Sequence, residues 1–132
     1  MPARFTHVVV KVADLDRSIA FYRAFCDLEV VRDGRPDGHT VWLAPVRRPP
    51  GPPPFVLVLY LTEIDFHLDH LGFQVDRRED VDRIAADAAR AGALVEGPID
   101  GGGDIGYLAM LRDPDGHRVE FTCGQPIGGV GG

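Results

Sequence analysis

His7, His70 and Glu120 are the residues of this sequence whose types and positions could hold a metal ion. Two imidazoles and one carboxylate, with coordination positions left open, suit Fe(II) and accept Mn(II), Ni(II), Co(II) or Zn(II). Imidazole supplies a borderline nitrogen donor. The carboxylate offsets part of the ion's charge, and the open positions admit substrate, water or dioxygen. Glu120 draws the eye first. It sits in "RDPDGHRVEF", where a Pro-Asp-Gly turn leads into an alternating strand pattern, between Val119 and Phe121. A carboxylate left uncompensated inside a sheet is costly, or takes up a proton. The plainer alternative is a wet face, the ordinary place for a lone glutamate on a strand.

The elements that would position these residues occur twice. The first half opens on "HVVVKV" at His7 and continues with "ADLDRSIAFYRAFCDLEVV". The second opens on "HLGFQV" at His70 and continues with "DRREDVDRIAADAARAGALVEG". Each reads as a strand, an amphipathic helix and a short strand. Leu15, Ile19, Tyr22 and Cys26 make the apolar stripe of the first helix, with Asp14 as its N-cap. Val81, Ile84, Ala85 and Ala88 make the second, with Asp76 and Glu79 as a capping box and Gly92 at its end. "HTVWLA" and "FVLVLYL" then complete the first half, and "IGYLAML" and "HRVEFT" the second. The order β-α-β-β-β, written twice, marks an internal duplication.

Strand parity turns the duplication into a register. His7 and His70 take equivalent positions, and so, by their spacing of about 50 residues from those histidines, do Val58 and Glu120. Three of these four slots hold metal-ligand types. The other histidines are set aside. His67 has the wrong spacing from His70, His39 begins a strand beside a turn, and His117 has parity opposite to Glu120.

Bulk properties narrow the function. The 132 residues make one domain or two very small modules, and 45% hydrophobic with 26% charged residues is a globular composition. A formal charge of −6 argues against nucleic acid as the main partner. No apolar run reaches the length of a membrane helix, and Met1 leads straight into strand-like sequence with no leader expected. Cys26 and Cys123 have no metal or redox spacing and read as reduced core residues of a cytoplasmic protein. "APVRRPPGPPPF" reads as a stiff connector in a surface loop, "PIDGGGD" as a flexible loop, and residues 125–132 as a flexible tail.

"HVVVKVADLDRSIAFY" and "LRDPDGHRVEF" together resemble the vicinal oxygen chelate superfamily of glyoxalases, bleomycin resistance proteins and extradiol dioxygenases. The resemblance runs from Phe5 to Thr122. It implies an α+β fold of two βαβββ modules, 4–62 and 67–124, forming a cupped, barrel-like mixed sheet around one divalent metal ion. It also implies a homodimer, in which the two modules around one site can come from different chains. Differences from the subfamilies limit the reaction. Val58 stands where glyoxalase I has a fourth ligand, although Glu120 matches the glutamate that serves there as base. Val56 and Met110 stand where ring-cleaving dioxygenases have a histidine and a tyrosine. Val9 stands where the fosfomycin enzymes have a threonine.

The expected activity is Lewis-acid catalysis on a small substrate that chelates the metal through two oxygens, of lyase, isomerase or ring-cleaving type. Glu120 would be both ligand and catalytic residue. Lys11, Tyr60, Gln74 and Arg118 have inward parity, and with Val58 and Met110 they would shape the substrate pocket; Lys11 or Arg118 could hold an anionic group. Trp42 fits either a stacking role or the core. The alternative function is a drug- or metabolite-sequestering protein without catalysis, and a third is a structural module without a ligand.

Overall fold

A computed structural model describes residues 4–126, which divide after His67 into two compact units. The first contains β1 (His7–Val12), α1 (Leu15–Cys26), β2 (Leu28–Asp33), β3 (Thr40–Pro45) and β4 (Val56–Leu61). The second contains β5 (Leu71–Gln74), α2 (Arg78–Arg90), β6 (Leu94–Asp100), β7 (Tyr107–Arg112) and β8 (Arg118–Cys123). The sheet orders are β1-β4-β3-β2 and β5-β8-β7-β6. In each, the first strand runs parallel to the last and the remaining pairs are antiparallel. This is the α+β pair of βαβββ modules that the sequence implies.

In the first unit, alternation assigns each strand a dry face. Val10, Val12, Val41, Leu43 and Leu59 are each at most 2% exposed, and helix α1 adds Leu15, Ile19 and Tyr22 to the same core. Full burial of each such side chain stabilises by about 1.5–3 kcal/mol before the entropy of ordering is set against it. The helix starts where Asp14 accepts a hydrogen bond from the Arg17 N–H at 3.0 Å. It stops at Asp27, whose φ of 52° is left-handed and whose N–H donates to the Tyr22 carbonyl. Cys26, at the last helical position of α1, is half-buried rather than core, and Cys123 is likewise half-buried at the end of β8.

An ion cluster closes the β2–β3 turn. Arg35 holds both carboxylate oxygens of Asp33, at 2.6–3.1 Å, and Asp16 at 2.7 Å. Arg35 keeps the Asp33 carboxyl at about 2, chiefly through the side-chain hydrogen bond. A depressed carboxyl pKa contributes stability that is present above the ordinary value and lost as pH falls through about 2. The cluster is exposed, so its effect on stability is small. Arg35→Gln should return the Asp33 midpoint to the ordinary carboxylate range, read by carboxyl NMR titration, with little change in melting temperature.

The second unit repeats the scheme. Val119, Phe121, Ala109 and Leu111 form its dry face with Val81, Ala85 and Ala88 of α2, and Phe73 stacks on Phe121 at 5.6 Å between centroids. Two expectations are corrected. The capping pair of α2 is Arg77 and Asp80, not Asp76 and Glu79: the Arg77 N–H donates to Asp80 Oδ2 at 3.2 Å, one residue later than the sequence pattern suggested. The segment Pro98–Asp100 belongs to β6, not to a loop; a register shift between Glu96 and Ile99 lets the strand pass Pro98, which has no N–H to give. The Asp113–Gly116 turn is as expected. Asp113 Oδ1 accepts from the N–H groups of Asp115 and His117 at 2.9 and 2.8 Å, and Gly116 has φ +89°. Nearly all of the expected flexible tail lies outside the described residues. Among those described, no helix is long and apolar enough to cross a membrane.

Candidate functional site

The face of each sheet opposite its helix carries the chemistry. In the second unit, Gly72 on β5 pairs with Glu120 on β8, which pairs with Met110 on β7. Glu120 is only 8% exposed and Met110 only 7%. A Cβ added at Gly72 would lie 3.7 Å from Glu120 Oε2, so the glycine keeps the space beside the carboxylate open. Gln125 approaches from the chain beyond β8. Its Nε2 lies 3.4 Å from Glu120 Oε2, and its N–H donates to Gln74 Oε1 at 3.0 Å. Gln74 thus holds the segment that covers Glu120, a role the sequence did not suggest. Arg118 is exposed and lies opposite another cation, Arg112.

His70 precedes β5, and its Nδ1 donates to Asp69 Oδ1 at 2.6 Å. In the neutral imidazole this contact places the proton on Nδ1 and leaves Nε2 as the lone-pair donor, the arrangement of a metal-binding histidine held by a carboxylate. In the first unit, His7 Nδ1 contacts Thr6 Oγ1 at 3.0 Å. Each histidine is therefore held through the same nitrogen by the side-chain oxygen of the residue before it.

The strand registers make the two units comparable position by position. Val9, two residues after His7, pairs with Val58; Gly72, two residues after His70, pairs with Glu120. Val58 and Glu120 are thus equivalent positions of two sheets built alike. The three ligand-type residues are divided between the units, His7 in the first and His70 with Glu120 in the second. Within either unit alone, no three His, Cys, Asp or Glu side chains among the described residues cluster as metal ligands.

The first unit contains a cleft of about 620 Å³ on the same face as His7. Val9, Val56 and Val58 form its apolar floor, and Trp42, 37% exposed, stands beside them. Arg32, the cross-strand neighbour of Trp42, places its guanidinium 5.2 Å from the centre of the indole. Pro52 and Pro53 complete a wall, so the proline-rich segment is more than a connector. Lys11 is committed elsewhere, with Nζ 2.5 Å from Asp65 Oδ1. Tyr60, its neighbour on β4, is 37% exposed and is not among the cleft's lining residues. Arg32 escaped sequence reading because β2 could not be assigned a face from "EVVRD"; its pairing with Trp42 was the missing information.

Residues 4–121 match the model of the Glyoxalase/Bleomycin resistance protein/Dioxygenase superfamily. The chain belongs to this superfamily. It is 38% identical to an uncharacterized protein of Pseudomonas aeruginosa, over 97% of this chain and 94% of that one. It is also 29% identical to the lactoylglutathione lyase of Salmonella typhimurium, over 95% and 96% of the two chains. Among solved structures, the fosfomycin resistance protein FosX of Listeria monocytogenes superposes with a TM-score of 0.74 at 16% identity, covering 92% of this chain and 91% of its own. That likeness establishes the glyoxalase-type fold of the superfamily member described here.

Proposed function

We propose that this protein is a metal-dependent enzyme of the glyoxalase superfamily, acting on a small oxygenated molecule. His7, His70 and Glu120 would hold one divalent ion. The observation that carries the reading is Glu120: a buried carboxylate beside an open glycine position, in a slot whose repeat counterpart is Val58. The donor set fits a cation. Asp69 fixes the His70 tautomer so that Nε2 is free to coordinate, and Thr6 holds the equivalent nitrogen of His7. When bound, such an ion would act as a Lewis acid toward substrate oxygens.

The chain's own contribution is positioning and exclusion of water. Gly72 leaves room beside Glu120, Met110 closes off its β7 side, and Gln125 offers an amide to its Oε2. Glu120 is also the group placed to accept a proton from a substrate carbon or hydroxyl, in the manner of a general base. The lactoylglutathione lyase relative supports a lyase or isomerase reaction over ring cleavage. The same reading takes the functional unit to be a homodimer in the cytoplasm.

Elemental analysis of protein purified without added metal tests this. About one equivalent of a transition metal per functional site, removable by chelator and restored on titration, is expected. Less than about a tenth of an equivalent, with no uptake, would replace the proposal by the second reading, a sequestering protein. The valine-floored cleft beside Trp42 is the feature that favours that reading.

A further inference from the structure

The cleft of the first unit carries a cation that the proposed metal chemistry does not use. Arg32 lies on its wall, and among the described residues no carboxylate engages it. Its acidic neighbours are occupied. Asp33 is held by Arg35, and Glu29 accepts from Arg48 at 2.5 Å. In a chain of net charge −6, an uncompensated arginine beside an apolar floor is the feature most suited to attract an anion.

We infer that the cleft binds a small carboxylate with an apolar body, and that Arg32 is the residue that selects for its charge. The inference rests on the reading of this protein as one that takes a small oxygenated molecule, and it adds the substrate class. The guanidinium carbon of Arg32 lies 5.2 Å from the centre of the Trp42 ring, a cation–π contact that uses none of its N–H donors. The N–H edge of a guanidinium matches the two oxygens of a carboxylate, which accept parallel hydrogen bonds from it. Val9, Val58 and the Pro52–Pro53 wall offer only dispersion and desolvation to the remainder of the ligand, and so favour an apolar body. One guanidinium balances one negative charge, which suits a carboxylate better than a phosphate dianion. Arg32 is exposed, so its replacement leaves the fold intact.

Trp42 is the only tryptophan in the chain, so its indole N–H gives a single NMR cross-peak that reports on this cleft. The test titrates 2-naphthoate and its neutral analogue 2-naphthamide into the full chain, with chelator present throughout. The wild type should show a saturable shift of the indole peak with 2-naphthoate, and bind the amide about tenfold or more weakly. Arg32→Gln should bring the two dissociation constants together, and Arg32→Lys should restore only part of the preference, because an ammonium lacks the planar fork. Equal affinity for acid and amide in the wild type, an unchanged preference in Arg32→Gln, or no saturable shift would each overturn the inference. Metal uptake by Arg32→Gln is measured alongside. If uptake is normal while the preference test fails, the substrate class is wrong and the metal reading stands; if the preference is present while no metal binds, the reverse holds.

Discussion

Glu120→Gln should lower the affinity for divalent metal by about a hundredfold or more, with a matching loss of any metal-dependent activity. Glutamine keeps the size of the side chain and can still meet the Gln125 amide, so packing on β8 is preserved. What disappears is the negative charge and one anionic ligand of three. The metal-free protein should respond in the opposite direction. Glu120 is 8% exposed, and a buried carboxylate without a cation is costly, so the neutral amide should leave the melting temperature of metal-free protein unchanged or raise it. The two measurements together separate a ligand from a structural residue. Unchanged metal uptake in Glu120→Gln would remove Glu120 from the site. Loss of uptake together with a lower metal-free melting temperature would assign the effect to folding instead.

The duplicated architecture was legible because both halves write the same signals at the same spacing. Val8, Val10 and Val12 alternate as Leu71, Phe73 and Val75 do, and an amphipathic helix follows each set. The equivalence of Val58 with Glu120 follows from the repeat spacing, about 50 residues after His7 and His70, and the two strand registers reproduce it. Details set by one residue were harder to read. The cap of α2 moved from Asp76 to Arg77 because Asp80, at the third helical position, reaches back to the Arg77 N–H, and two acids one residue apart offered no way to choose. Pro98 looked like a strand breaker, yet a strand tolerates it where the ladder slips. The cleft was illegible for a different reason. Arg32 and Trp42 are ten residues apart, on strands whose register contains a shift between Val30 and Arg32, so their meeting depends on a bulge that leaves no mark in composition. Lys11 shows the converse: its parity sets it on the face opposite the buried Val10 and Val12, but its charge is paired with Asp65 on the segment after β4, which no strand pattern indicates.

Phe121→Ala should cost about 3–5 kcal/mol, a large fraction of the roughly 5–15 kcal/mol that holds a domain of this size. Phe121 is 1% exposed, stacks on Phe73 and lies beside Ala109 across the β7–β8 ladder. Ala109 and Leu111 are fixed by backbone pairing, and α2 is fixed by Val81, Ala85 and Ala88, so the surroundings have little freedom to collapse into the void. Thermal unfolding should shift down by about 10 °C or more. Phe121→Leu, which keeps most of the volume, should cost much less. The consequence for function comes through strand β8. Phe121 points into the core and Glu120 to the opposite face, so the packing of one sets the direction of the other. In Phe121→Ala, metal affinity measured well below the lowered melting temperature should therefore fall, while Phe121→Leu should retain it. Full metal affinity in a folded Phe121→Ala protein would show that the β5–β8–β7 ladder alone aims Glu120, and that the aromatic core beneath it serves stability only.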